Sequence, residues 1–172
     1  MASLIAYFSR AGENYFSGAI KNIEVGNTQR AAAMLQELTG ADLYAMAPVQ
    51  PYSKKYDTCI EEAKNDQNRG ARPELKYYPE DMAKYDTIYL GYPNYWGTMP
   101  MAVFTFLEHW DFSAKTICPF CTHEGRGMGR SEADIRKLCP NAVVKPGLAI
   151  FGSRVKEAGP AFEAWLKTCK KD

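Results

Sequence analysis

Thr87-Ile88-Tyr89-Leu90-Gly91-Tyr92, followed directly by Pro93-Asn94-Tyr95-Trp96-Gly97, is the segment from which the architecture is most directly predicted. The first half is an apolar run of strand length, and the second half is a proline- and glycine-bounded turn that carries two large aromatic residues. The segment therefore predicts a buried strand that ends in an aromatic loop.

Two other apolar runs end in a similar way. Residues 4–8 lead into Ser9-Arg10-Ala11-Gly12, and residues 116–121 lead into the glycine-rich segment 122–129. In an open parallel sheet the carboxyl ends of the strands meet at one edge, and ligands bind there where the strand order reverses. A phosphate-compatible turn, an aromatic turn and a glycine turn at one edge predict a site for flavin mononucleotide (FMN).

Strand-like and helix-like runs alternate along the whole sequence. This alternation is typical of an α/β fold with a mostly parallel sheet, and it predicts a single domain over residues 1–172. We expect strands at residues 2–8, 41–47, 86–92, 115–121 and 142–151, the last interrupted by Pro146-Gly147. Helices are expected from about residue 26 to 39, 54 to 68, 100 to 109, 131 to 138 and 157 to 170, with Ser53 and Ser131 as N-caps.

Composition excludes several classes of protein. The 172 residues include 21 basic and 20 acidic side chains, and the formal net charge of +1 argues against a nucleic-acid partner. No apolar run reaches the roughly 20 residues that cross a bilayer, and the N-terminus does not resemble a secretion signal. We therefore expect a cytoplasmic protein without a membrane partner.

The first turn offers groups that bind phosphate. Ser9, Asn27 and Thr28 supply hydroxyl, amide and backbone N–H groups near a predicted helix N-terminus. No P-loop and no strand–turn–helix dinucleotide motif is present, which disfavours a nucleotide triphosphatase or a pyrophosphate site. The alternative is that Asn27 and Thr28 only cap the helix.

The second and third turns offer a flat surface and free backbone amides. Tyr95 and Trp96 can pack against a planar ligand, although they could instead cover the end of the sheet. Gly125, Gly127 and Gly129 allow a ligand to approach the backbone closely. His123 is either a proton donor or a solvated loop residue.

Cysteine and histidine give little sign of a reactive or metal site. Cys118 and Cys121 match the C-x-x-C pattern, but residues three apart on a strand face opposite sides, so we interpret this pair as structural. The two histidines are too few to favour a histidine-based metal site.

Taken together, the three motifs resemble the flavodoxin-like family, in a branch where an insertion at residues 13–25 interrupts the phosphate loop. The resemblance implies a three-layer, doubly wound parallel sheet of five strands in the order 2-1-3-4-5. It also implies FMN as the cofactor, its phosphate held by Ser9, Arg10, Asn27 and Thr28. The isoalloxazine would be lined by residues of the other two turns: Pro93, Asn94, Tyr95, Trp96, Gly97, Thr122, His123, Glu124, Gly125 and Gly127.

Three functions follow from these observations. The first is an FMN protein that passes electrons to a redox partner protein. The second is an enzyme of the same fold, an NAD(P)H-dependent quinone or FMN reductase, which the near-neutral charge and the insertion favour. The third is a domain that has lost its flavin and serves as a binding module.

Overall fold

The computed structural model describes residues 2–170. The strands are β1 (Ala2–Tyr7), β2 (Gly12–Phe16), β3 (Ala19–Ile23), β4 (Asp42–Ala45), β5 (Tyr85–Pro93), β6 (Thr116–His123), β7 (Val143–Val144) and β8 (Leu148–Phe151). The α-helices are α1 (Asn27–Thr39), α2 (Tyr56–Asn68), α3 (Met101–His109), α4 (Ser131–Leu138) and α5 (Gly159–Cys169), and short 3₁₀ helices lie at Met82–Lys84 and Gly152–Glu157.

The main sheet is parallel, with the order β4-β1-β5-β6-β7 and with β8 also paired to β6. If β7 and β8 are counted as one interrupted strand, this is the predicted order 2-1-3-4-5, and the predicted α/β fold is confirmed. Because the order reverses beside β1, the carboxyl ends of β1 and β5 flank the switch point at which ligands bind in such sheets.

The interruption between β7 and β8 lies opposite a proline in the neighbouring strand, β6. Pro119 lies in this central strand, where a proline is unusual because it has no N–H to donate. The amide of Lys145 donates to the Ile117 carbonyl at 2.9 Å. The backbone groups of Ile117 therefore point toward β7 and β8, and so do those of Pro119, which is two residues further along the strand. Pro119 is thus opposite the interruption, and an added Cβ on Gly147 would lie 3.3 Å from its ring.

Apolar residues form two cores, one on each face of the sheet. Leu4 and Ala6 belong to the core that α3 and α4 cover, whereas Ile5 and Tyr7 belong to the core that α1 and α5 cover. Cys121 lies in the first core and Cys118 in the second, so the two thiols face opposite sides as predicted.

Two predicted N-caps are wrong. Helix α2 begins at Tyr56, whose amide donates to Glu13 Oε1 at 3.1 Å, so a carboxylate distant in sequence caps this helix instead of Ser53. Ser131 is the first residue of α4, and its hydroxyl donates to the Met128 carbonyl at 2.6 Å.

Among residues 2–170, no helix has the length and apolar character that a membrane-spanning segment needs.

The insertion forms an antiparallel β-hairpin, β2–β3, separate from the main sheet. Ser17 and Gly18 occupy its tip with φ values of 53° and 86°, as the two central residues of a type I′ turn require. The sequence predicts an insertion at residues 13–25 but not that it forms a hairpin.

Candidate functional site

A cavity of about 380 Å³ lies at the carboxyl ends of β1, β5 and β6. This volume falls in the lower part of the range of roughly 300–1,000 Å³ for small-molecule sites. Its walls come from the loops after these strands, the start of α1, one face of α2 and the β2–β3 hairpin. The lining residues are Ser9, Arg10, Asn14, Tyr15, Asn27, Thr28, Tyr56, Cys59, Ile60, Ala63, Pro93, Asn94, Tyr95, Trp96, Thr122, His123, Glu124, Arg126 and Gly152.

The start of α1 forms the polar end of the cavity. Ser9 Oγ accepts the amide proton of Gln29 at 3.0 Å and so satisfies one N–H group of the first helical turn. Gly26 makes this approach possible, because a Cβ at this position would lie 2.1 Å from Ser9 Oγ. The first N–H groups of a helix lack partners within it, and together with the helix dipole they favour an anion. This end of the cavity is therefore suited to a phosphate group.

Asn27 contributes a polar atom that has no partner among the described residues. Its Oδ1 is buried without a hydrogen bond, while its Nδ2 lies against Gly152, where an added Cβ would come within 2.5 Å. A buried acceptor without a donor is costly, and a ligand hydroxyl or N–H group would satisfy it. The ribityl hydroxyls of FMN are groups of this kind, so the residues here fit that cofactor.

Arg10 lines the cavity but is already bound to backbone. Its Nε and Nη2 donate to the Ser53 carbonyl at 2.9 and 2.7 Å, and its Nη1 donates to the Glu13 carbonyl. The guanidinium thus fastens the hairpin to the segment before α2. The binding of a phosphate by Arg10 stays a prediction.

The aromatic loop after β5 is a tight turn in which Tyr95 and Thr98 exchange both backbone hydrogen bonds. Trp96 and Gly97 are its central residues, with φ values of 53° and 87°, and a non-glycine residue at such a φ is strained. The Trp96 indole N–H donates to the Ile60 carbonyl at 2.9 Å, and the residue as a whole remains 40% exposed. The strained turn therefore holds the indole against α2 at the cavity wall.

Tyr95 is packed more deeply than its neighbour. Its ring lies 5.9 Å from the Phe8 ring and 6.3 Å from the Tyr52 ring. Burial raises the pKa of the Tyr95 hydroxyl well above its usual value, and the nearby Cys59 thiol raises it further. Tyr95 therefore presents a neutral phenol to the cavity.

The aromatic loop after β5 and the glycine loop after β6 are joined to each other. Asn94 Nδ2 donates to the Gly127 carbonyl at 2.9 Å, and its Oδ1 accepts the amide proton of Gly97 at 2.9 Å. Gly129 packs so closely on this turn that an added Cβ would lie 2.1 Å from the Gly97 carbonyl oxygen. One asparagine side chain and one close glycine contact thus fix the aromatic loop relative to the glycine loop.

His123 is the last residue of β6, and Glu124 follows it. His123 Nδ1 accepts the amide proton of Gly125 at 2.8 Å, so in the neutral ring the proton is on Nε2. Burial lowers the pKa of His123, an effect that Glu124 opposes. Glu124 Oε1 accepts the amide proton of Ser17 at 3.2 Å, which connects the hairpin tip to this loop.

Of the fourteen residues predicted for the site, eleven line one cavity: Ser9, Arg10, Asn27, Thr28, Pro93, Asn94, Tyr95, Trp96, Thr122, His123 and Glu124. Gly97, Gly125 and Gly127 do not line it; they shape the loops behind the lining residues. Their contact with a cofactor, like that of the other eleven, stays a prediction.

Sequence reasoning missed the wall that α2 contributes. Tyr56, Cys59, Ile60 and Ala63 recur at the three-and-four spacing of one helix face, which is the available signal, but that pattern equally indicates a face buried in the core. Asn14 and Tyr15 of the hairpin, Arg126 and Gly152 were also missed.

Comparison with known proteins identifies the class. The flavodoxin family model matches residues 3–169, and the chain therefore belongs to the flavodoxin family, as the sequence motifs predicted. No curated protein matches it.

Three solved structures are similar over nearly the whole chain. A protein from Bacteroides eggerthii DSM 20697, provisionally classed as a flavoprotein, is 28% identical, with a TM-score of 0.77 over 99% of each chain. One from Bacteroides uniformis ATCC 8492, classed in the same way, is 26% identical, with a TM-score of 0.73 over 96% of this chain and 97% of that one. A flavoprotein from Lactobacillus acidophilus NCFM, solved in complex with FMN, is 20% identical, with a TM-score of 0.66 over 91% of this chain and 97% of that one.

Proposed function

We propose that this protein binds FMN non-covalently in the cavity and transfers electrons through it. The observation that carries the proposal is the joint placement of an anion-compatible helix N-terminus, an unpartnered Asn27 acceptor and an aromatic loop around one cavity. Bound FMN would supply the redox chemistry. Membership of the flavodoxin family supports the choice of cofactor.

The protein's own residues would bind and orient the cofactor. Ser9, Asn27 and Thr28 would hold the phosphate and the ribityl chain, and Trp96 and the α2 wall would enclose the ring system. The Nε2–H of His123 is a donor at the edge of the same cavity. No residue is proposed as a catalytic acid or base.

Spectroscopic titration tests this proposal. Adding FMN to the purified protein is expected to shift the visible flavin bands and to quench flavin fluorescence at a stoichiometry of one. Riboflavin, which lacks the phosphate, is the matched control and is expected to bind more weakly. If FMN leaves both signals unchanged, the proposal is wrong, and the alternative of a binding module without flavin is favoured.

A second candidate is an NAD(P)H-dependent quinone or FMN reductase. The β2–β3 hairpin favours it, because Asn14 and Tyr15 line the cavity and so restrict access by a protein partner to whatever lies inside. The near-neutral charge also provides little long-range attraction for a charged redox partner. A redox partner protein and a small quinone or nicotinamide are therefore both retained as proposed partners, in a cytoplasmic setting.

Steady-state kinetics separates the two candidates. The reductase is expected to oxidise NADH or NADPH when FMN and a simple quinone are present. The electron carrier is expected to show no such turnover, yet to pass electrons from a reductase to a one-electron acceptor.

A further inference from the structure

The β2–β3 hairpin spans the cavity and is attached at its two ends in very different ways. Its base is fastened to the segment before α2 by several contacts. Its tip, at Ser17, reaches the glycine loop on the other side through Glu124. Between the two attachments, Asn14 and Tyr15 line the cavity. We refer to residues 12–23 as the flap.

The base of the flap is firmly held. The amide of Glu13 donates to the Lys54 carbonyl at 2.8 Å, and Glu13 Oε1 accepts the amide proton of Tyr56 at 3.1 Å. Arg10 adds three side-chain hydrogen bonds to backbone at this point. The Tyr15 and Tyr56 rings, with centroids 6.3 Å apart, complete the attachment.

The tip of the flap depends on one carboxylate. Glu124 Oε1 accepts from the Ser17 amide at 3.2 Å, and Glu124 Oε2 accepts from Ser153 Oγ at 3.0 Å. The residues of β3 are mostly exposed and Phe16, next to the tip, is half-buried, so limited apolar burial holds this end of the flap in place. Among residues 2–170, the contact from Ser17 to Glu124 is the hydrogen bond that attaches the tip. An element that is held in this way and has few buried contacts opens at low free-energy cost.

We propose that Glu124 is a positioning residue that closes the flap over the cavity, and that breaking of the Ser17–Glu124 contact controls how fast a ligand is taken up and released. Ser153 holds the carboxylate in place through its other oxygen, Oε2. That the ligand is FMN rests on the proposed function, whereas closure of the flap by Glu124 does not.

Hydrogen exchange of the unliganded protein tests the closure itself. Glu124→Ala is expected to speed exchange of the Ser17 amide and its flap neighbours by about tenfold, since it removes a hydrogen bond to a charged acceptor. Glu124→Gln keeps an acceptor oxygen and is expected to lie much closer to the wild type. Glu37→Ala, which removes an exposed carboxylate near the far end of α1, is the matched control and is expected to leave flap exchange unchanged.

Stopped-flow mixing with FMN tests the consequence. If Glu124 controls the flap, Glu124→Ala raises the association and dissociation rate constants together, each about fivefold or more, and changes the dissociation constant less than either rate. If Glu124 only contacts the ligand, dissociation accelerates while association and flap exchange stay constant, and the inference is overturned.

Failure of the two proposals can be told apart. If the wild type does not bind FMN, the proposed function is wrong, but the exchange experiment still decides whether Glu124 closes the flap. If Glu124→Ala exchanges at the wild-type rate throughout residues 12–23, the flap proposal is wrong whatever the cofactor is.

Discussion

Thr28 Oγ1 and Thr122 Oγ1 lie 2.8 Å apart, although 94 positions separate the two residues in the sequence. Both side chains are buried, so this hydrogen bond joins the start of α1 to the end of β6 in the cavity wall. It therefore fixes the distance between the phosphate-compatible end of the site and the glycine loop.

Removal of both threonine hydroxyls is expected to cost less than the sum of the two single removals. Thr28→Val or Thr122→Val alone leaves the other hydroxyl buried without its partner, at about 1–2 kcal/mol of unfolding free energy. The double variant buries two methyl groups instead, so its loss is expected to be smaller than the sum of the single losses. Urea unfolding of all four proteins measures this cycle, and strictly additive losses would contradict the contact.

Gly129 and Gly127 provide a matched pair for testing how closely the aromatic loop and the glycine loop pack. Both have a left-handed φ, 55° and 62°, but only at Gly129 would a Cβ meet the Gly97 carbonyl oxygen. Gly127→Ala is expected to cost about 1 kcal/mol for its backbone conformation alone. Gly129→Ala is expected to cost about 3 kcal/mol or more, because strain and a steric clash add. Equal shifts in the urea midpoint would argue against the close approach.

Gly26→Ala is expected to disturb the phosphate end of the cavity. The new methyl group would displace Ser9 Oγ and press on the Arg10 carbonyl, which lies 2.8 Å from the Cβ position. Ser9→Ala, the matched variant, removes only the hydroxyl that caps α1 and is expected to cost about 1 kcal/mol of stability. A larger loss of stability, and of FMN affinity, is therefore expected for Gly26→Ala. If Gly26→Ala has the stability and the FMN affinity of the wild type, Ser9 is not held against the helix.

The stability contributed by His123 is expected to depend on pH. Burial lowers its pKa in the folded protein, so below the ordinary value of about 6.5 the unfolded chain binds more protons. Its contribution is thus fully present above about pH 7 and is lost as the pH falls from there toward the lowered pKa. His123→Gln has no imidazole to titrate and so lacks this pH-dependent contribution. The stability of the wild type relative to this variant is therefore expected to decline as the pH falls. Titration of the imidazole by NMR is the direct check. A pKa above 6.5 in the folded protein would contradict the prediction, because the contribution of His123 to stability would then increase as the pH falls.

Much of the fold was predictable because parallel strands buried on both faces produce apolar runs that stand out in the sequence. The predicted limits of α4 agree with the structure, and Gly40 ends α1 with a left-handed φ of 70°, as is common for a glycine at a helix C-terminus. The three-and-four spacing of α1 would put Leu38 on the buried face after Leu35, but Leu38 is 40% exposed, whereas Ala32 is buried. Periodicity alone did not separate these two residues.

The hairpin and the α2 wall were less accessible to prediction. Ser17-Gly18 between two short apolar pairs is a turn signal, but β3 is almost wholly exposed and lacks the alternation that marks a half-buried strand. The bonds from Arg10 to Ser53 join residues 43 positions apart, and no local pattern encodes such a contact. Long-range contacts between polar side chains and the backbone are therefore the part of the site that sequence patterns do not predict.

Because the Asn94 side chain bonds to both the aromatic loop and the glycine loop, the two segments form one mechanical unit. Transplanting either segment alone from a relative would leave an amide group facing a foreign backbone. Chimeras in this family should therefore exchange residues 93–98 and 122–130 together, as a single cassette.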